Sequence, residues 1–246
     1  MTSPEVESNQ ENTEGRLITA YTWNVGVGGV HAALDALSEW AELHNPAVVM
    51  LQECRISKRA VPKTRAAILK AMPEYRAYFH CHNWESTNDR PPAVISLVRH
   101  EIDKWCKPLN VCPQSGQSST LSGRIYPLLF TIPGCLRPTV LVNAWFPHSN
   151  YTPNFRSAFL AECTTLHTEW VKANNVIWLG DFNAALRPGQ RLSYSKEAKA
   201  ERTAARPWDD AVQAWVVRNK LHARDSSTMT WHRHESWSTQ GSAFND

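Results

Sequence analysis

Ala47-Val48-Val49-Met50-Leu51 is an unbroken apolar run, followed at once by Gln52 and Glu53. A run so short and so apolar reads as a strand buried on both faces. It ends on a carboxylate, and strand ends opening into a crevice are where open sheets gather ligands. Ahead of it, Val30, Ala33, Leu34, Leu37, Trp40 and Ala41 recur at helical spacing, and that helix is expected to stop at His44-Asn45-Pro46. Further upstream, residues 17–23 are rich in β-formers and predict a strand followed by Asn24.

The alternation continues downstream. Residues 65–72 predict a short helix, and residues 75–80 and 93–98 predict neighbouring strands. Residues 125–132 and 139–146 flank Pro133-Gly134 and other turn-formers, which predicts a hairpin. Phe155, Phe159, Cys163, Leu166 and Trp170 mark an amphipathic helix, and residues 176–179 a second short buried strand ahead of Gly180 and Asp181. Residues 187–207 are polar and basic without periodicity. A helix follows them, with Asp209 and Asp210 near its positive end and Val212, Trp215 and Val216 turned inward. Residues 228–231 predict a further strand. Strands and helices mixed in this way argue for an α/β sandwich.

Composition narrows the function classes. The chain has 246 residues, 42% of them hydrophobic and 20% charged, which suits one large domain. Residues 1–16 are polar and acidic, carry no signal-peptide pattern, and read as a disordered tail before a domain over 17–246. No apolar run approaches the ~20 residues that a membrane helix needs, so no membrane partner is expected. The six cysteines form no CxxC pair and show no zinc spacing, which points to reduced thiols in an intracellular compartment. A net charge of +3 says little about a polyanion partner, because local patches matter more than the sum. The eleven tryptophans fit a Trp-rich core as well as base stacking. No obligate protein partner is evident.

The candidate chemistry sits just past strands: Asn24, then Glu53, then Asp181 and Asn183. Hard oxygen donors of this kind suit Mg²⁺ or Mn²⁺, which bind one or two carboxylates and keep several waters. Each position alone is also what a solvated loop or an Asp-x-Asn turn offers.

Taken together and in order, the segments YTWN (21–24), VVMLQE (48–53), VNAWFPH (142–148), WLGDFNA (178–184) and TMTW (228–231) resemble the endonuclease/exonuclease/phosphatase superfamily. Apurinic endonucleases, DNase I and LINE-type retrotransposon endonucleases belong to that group. The stretch 221–231 (LHARDSSTMTW) is most similar to the LINE-type branch.

The resemblance implies a four-layered α/β/β/α sandwich of the DNase I-like kind. It also implies a Mg²⁺-dependent endonuclease that hydrolyses DNA by water attack, with a nuclear location if retrotransposon-derived. By the same resemblance Glu53 is the direct metal ligand, with Asn24 holding a water or the metal carboxylate. Asp181 positions or deprotonates the attacking water, and Asn183 bonds a phosphate oxygen. Asn143 supports the site rather than reacting.

Two departures are visible. Trp145 stands where the family has Tyr beside the phosphate, and an indole N–H donates but cannot accept or ionise. His148 stands where the family often has Asn, and reads equally as a phosphate contact or a surface residue. The family also closes with further strands and an Asp-His pair. The sequence given ends at Asp246, so an incomplete domain of feeble activity is expected. The rival readings are an inactive relic that at most binds nucleic acid, and a phosphatase or lipid phosphodiesterase on the same fold. The basic segment 187–206 could track a DNA backbone, or be a solvated loop.

Overall fold

The computed structural model describes residues 18–26, 28–82, 91–111, 119–148, 150–184, 192–194, 200–202 and 207–222. In chain order these form β1(Ala20–Asn24), α1(Gly29–His44), β2(Val48–Gln52), α2(Val61–Ala71), β3(Tyr75–Cys81), β4(Ala93–Arg99), the helical turn α3(His100–Asp103) and β5(Cys106–Pro108). Then come β6(Ile125–Phe130), β7(Thr139–Trp145), α4(Pro153–Val171), β8(Asn175–Asp181), β9(Leu192–Tyr194), β10(Ala200–Arg202) and α5(Pro207–Arg218).

The apolar run is β2, and all five of its residues are buried. It lies inside a sheet of order β1-β2-β4-β3, parallel to β1 and antiparallel to β4. A second sheet, of order β5-β6-β7-β8, repeats the plan: β7 and β8 are parallel and the other pairings antiparallel.

Residue alternation sorts the apolar side chains into three layers of core. Val49 and Leu51 of β2 join Ile95 and Leu97 of β4 under α1 and α2. Val140, Val142 and Ala144 of β7 pack under α4 and α5 with Phe159, Val212 and Trp215. The opposite faces of the two sheets meet through Val48, Met50, Val98, Leu128, Phe130 and Leu141. Helices outside and two stacked sheets inside make the expected α/β/β/α sandwich.

Local rules explain most boundaries. α1 ends where Asn45 adopts a left-handed φ of 47° and its N–H returns to the Ala41 carbonyl, as the His44-Asn45-Pro46 stop predicts. α2 begins four residues earlier than expected, at Val61, because Pro62 occupies the first turn, where its missing N–H costs nothing. α4 starts at Pro153 behind Thr152, whose hydroxyl accepts from the Phe155 N–H.

Two expectations change. β8 is longer than residues 176–179 and is not buried on both faces. It pairs with β7 alone among the described residues, and Ile177 is 46% exposed. Within the basic segment, β9 and β10 form a two-stranded antiparallel ribbon. The tail 1–16, the strand at 228–231 and residue 246 lie outside the described residues. Among the described residues no helix is long and apolar enough to cross a membrane, and Cys54, Cys81, Cys106, Cys135 and Cys163 are free.

One polar group crosses the apolar seam between the sheets. Asn143 of β7 is fully buried; its Oδ1 accepts from Gln52 Nε2 at 2.8 Å. Its amide donates to the Ile95 carbonyl at 2.9 Å and to Ser96 Oγ at 3.2 Å. Gln52 is held in turn by Thr22 Oγ1 at 2.9 Å. Buried amides satisfied on both ends are costly to truncate, because the partners lose water as well as the bond. Asn143→Ala is therefore expected to lose about 3 kcal/mol of stability, read as a lowered midpoint in urea denaturation with an unchanged slope.

Candidate active site

The two parallel strand pairs bring their C-terminal ends together. Asn24 is opposite Gln52 at the end of β1–β2, and Asp181 is opposite Trp145 at the end of β7–β8. Asn24 bridges the gap: its Nδ2 donates to Asp181 Oδ2 at 2.7 Å and to Glu53 Oε1 at 3.1 Å. The Gly26 N–H, at 2.9 Å from Oδ1, fixes which way that amide faces. Residues 157 positions apart in the chain thus share one hydrogen-bonded unit.

The backbone is strained where these side chains emerge. Glu53, Arg55 and Asn183 all have left-handed φ, at 56°, 51° and 49°. Such non-glycine conformations cost of order 1–3 kcal/mol each and cluster at functional sites. Between the first two, Cys54 is buried, and its N–H is held by the Ala93 carbonyl at 3.1 Å. On the other sheet Gly180 has φ 144°, and a Cβ there would lie 1.9 Å from the Ala144 carbonyl oxygen. Only glycine lets β8 lie this close to β7 just before Asp181.

Burial pushes the Asp181 carboxyl above its ordinary range, and the nearby Glu53 adds to this. The Asn183 N–H, at 2.8 Å from Oδ1, and the Asn24 amide pull it back. Asn183 turns its own amide to the Phe146 carbonyl at 2.8 Å. Glu53 Oε2 pairs with Arg55 Nη2 at 3.0 Å.

Trp145 and His148 stand apart from the hydrogen-bonded unit. Trp145 is buried, and its indole N–H has no hydrogen-bond partner. His148 lies against Tyr151, 4.8 Å between centroids, and its Nδ1 accepts from the Asn150 N–H. Burial and Arg124 lower its pKa, while the field of Glu53 opposes them.

Sequence reasoning missed Arg124, which sits at the head of β6. It is 2% exposed. Its guanidinium carbon lies 4.7 Å from the ring centroids of both Trp145 and Tyr151. One nitrogen donates to Tyr151 Oη at 2.5 Å, while Nη1 is buried without a partner. The loop ahead of it is anchored by Glu162, which accepts from Ser119 Oγ at 2.6 Å and Thr120 Oγ1 at 2.7 Å. No sequence signal marked it; in the structure Gly123 just ahead has a φ of 71° and a contact with the Pro92 carbonyl that leave no room for a side chain. A buried cation with a spare N–H, beside a second spare N–H on Trp145, favours an anion.

The acids also fit a divalent cation. Asp181 is deeply buried, and the hydrogen bonds to its oxygens come from neutral donors, with a second carboxylate nearby. Two oxygen acids with an amide between them suit a hard ion that retains water. Among the described residues no cluster of three or more His, Cys, Asp or Glu forms a closed metal cage.

Comparison with known proteins agrees with the fold. The model of the Endonuclease/Exonuclease/phosphatase family matches residues 21–243. An AP endonuclease from Leishmania major superposes with a TM-score of 0.58 at 17% identity; the match covers 81% of this chain and 66% of that one, just under two thirds of its length. An AP endonuclease from Archaeoglobus fulgidus gives 0.55 at 14% identity, over 82% of this chain and 70% of the other. The endonuclease domain of TRAS1, a telomere-specific non-LTR retrotransposon, gives 0.51 at 15% identity, over 82% and 72%. At these identities the likeness shows the fold. No curated protein shows significant sequence similarity to the chain.

The tight β7–β8 contact behind the site is testable by itself. Gly180→Ala is expected to cost more than about 3 kcal/mol, seen as a depressed thermal midpoint or as loss of soluble protein.

Proposed function

The chain belongs to the endonuclease/exonuclease/phosphatase family, and from that premise we propose that it is a Mg²⁺-dependent phosphodiesterase acting on DNA, an endonuclease of the retrotransposon type. The observation that carries the reading is the Glu53–Asn24–Asp181 unit, which joins two carboxylates across the seam between the sheets. Phosphodiester hydrolysis needs a base for the water, a sink for the charge that develops on phosphorus, and donors for the non-bridging oxygens.

Asp181 is the base. Burial raises its pKa, which makes it a stronger base than an ordinary carboxylate. Asn24 holds it toward Glu53 through one N–H and holds Glu53 through the other. Glu53, with Asn24 beside it, would hold Mg²⁺ (Mn²⁺ as a substitute), and the bound ion would supply the charge sink. Asn183 has a second amide hydrogen beyond the one given to Phe146, available for a phosphate oxygen. Arg124 Nη1 and Trp145 Nε1 are preorganised donors that have already lost their water. His148 borders the anion side of the site. A DNA substrate is favoured by Arg124, a buried cation with a spare N–H on the anion side of the site. Work on chromosomal DNA would place the protein in the nucleus.

Nicking of supercoiled plasmid in Mg²⁺ tests this. Glu53→Ala and Asp181→Ala should each lower the rate about a hundredfold or more. Cleavage of lipid or inositol phosphates with plasmid left intact would replace the DNA reading. DNA binding without cleavage under any divalent ion would reduce the chain to a binding module.

The sign of the pH dependence follows from Asp181. A base works deprotonated, so kcat/KM should rise with pH through a titration above the usual aspartate value of about 4. An acidic limb at or below that value, measured by single-turnover nicking, would contradict the assignment.

A further inference from the structure

Arg55 has no part in the reading above, yet it pairs with the carboxylate that the reading assigns to a metal. Its Nη2 lies 3.0 Å from Glu53 Oε2, while Oε1 is taken by Asn24. Glu53 and Arg55 flank Cys54, whose burial pins the turn, and both carry left-handed φ. This strained turn sets an acid and a base two residues apart on the same crevice. The pair is partly buried, with side-chain exposures of 19% and 28%, so solvent screens it only in part. Arg55 is not fully satisfied there, because its Nε is buried without a hydrogen-bond partner.

We propose that Arg55 is a built-in counter-ion of Glu53 that competes with the divalent metal for Oε2 and so sets the metal concentration at which the site loads. The inference rests on Glu53 being the metal ligand. A guanidinium and a divalent cation cannot share one carboxylate oxygen at contact distance without strong repulsion. Metal binding must therefore break the Arg55–Glu53 pair and swing the guanidinium off. The energy of that pair is subtracted from metal affinity, so the site loads at a higher metal level than a bare Glu53 would. Arg55 acts through Glu53 and is a positioning residue. The consequence has an unusual sign: removing an ion pair beside the metal should improve metal binding. A residue that only props up the turn would weaken it.

The test is Mn²⁺ binding to the full chain without substrate, followed by the electron paramagnetic resonance signal of the free ion. Arg55→Met, which keeps length but not charge, should bind Mn²⁺ on the order of tenfold more tightly than wild type. The gain should shrink as salt is raised. Arg55→Lys, which keeps the charge, should stay within about twofold of wild type. Thermal midpoints of both variants confirm that they are folded. Equal or weaker binding by folded Arg55→Met overturns the inference, as does equal tightening by both variants, since charge is then not the cause. Glu53→Gln separates the premise from the inference. Loss of Mn²⁺ binding in that variant keeps Glu53 as ligand whatever Arg55 does, whereas retained binding removes the metal assignment and the competition with it.

Discussion

The buried Asn143–Gln52 hydrogen bond is the constraint on which the rest of the structure depends. Apolar contacts between two stacked sheets are non-directional, and side chains such as Val48, Met50 and Leu141 would tolerate a small slide of one sheet over the other. An amide pair in that seam does not tolerate it, because a slide leaves buried donors and acceptors unpaired. Gln52 is the residue before Glu53, and Asn143 lies two residues before Trp145, the partner of Asp181. Fixing the amide pair therefore fixes where the two acids, Glu53 and Asp181, can meet. The structural polar contact and the chemical one are neighbours on the same strands.

The cost of the site is visible in the same residues. Three non-glycine residues hold left-handed backbone, a carboxylate is buried deeply enough to raise its pKa, and donors on Arg124 and Trp145 lie buried without partners. None of these stabilises the fold. Under the proposed function they are preorganised for charge that arrives with a substrate and its metal, which is how water-excluded sites gain their electrostatic strength. Stability is recovered in the three apolar layers around them.

Much of the fold was legible in the sequence because it follows periodicity. The β2 run, the α1 stripe and the stop at Asn45 need only local rules, and they appear where expected. The strand ends carrying Asn24, Glu53 and Asp181 were legible for the same reason. What was not legible depended on tertiary neighbours. Arg124 reads as an ordinary basic residue at a strand start until Trp145 and Tyr151 close over it. Arg55 reads as a loop cation until the left-handed turn points it back at Glu53. β8 looked buried because its residues are apolar, and only the sheet order places it where Ile177 meets solvent. Pro62 moved the start of α2, a boundary effect that the apolar spacing alone does not carry.

The two sheets are built from consecutive halves of the chain, β1–β4 and then β5–β8. Each half has its own helices and its own apolar layer, and the acids meet only across the seam. Local contacts form early in folding and distant ones late, since closing a long loop must come before its contacts form. A chain emerging from the ribosome can thus complete its first sheet while Asp181 has yet to be made. Docking of the halves is also the step that presses two carboxylates together, so charge opposes it at the last moment. Cations in the surrounding solution would ease that final docking. In this molecule the two carboxylates are joined only where the two sheets meet, so the candidate site is complete only once both halves of the chain have docked.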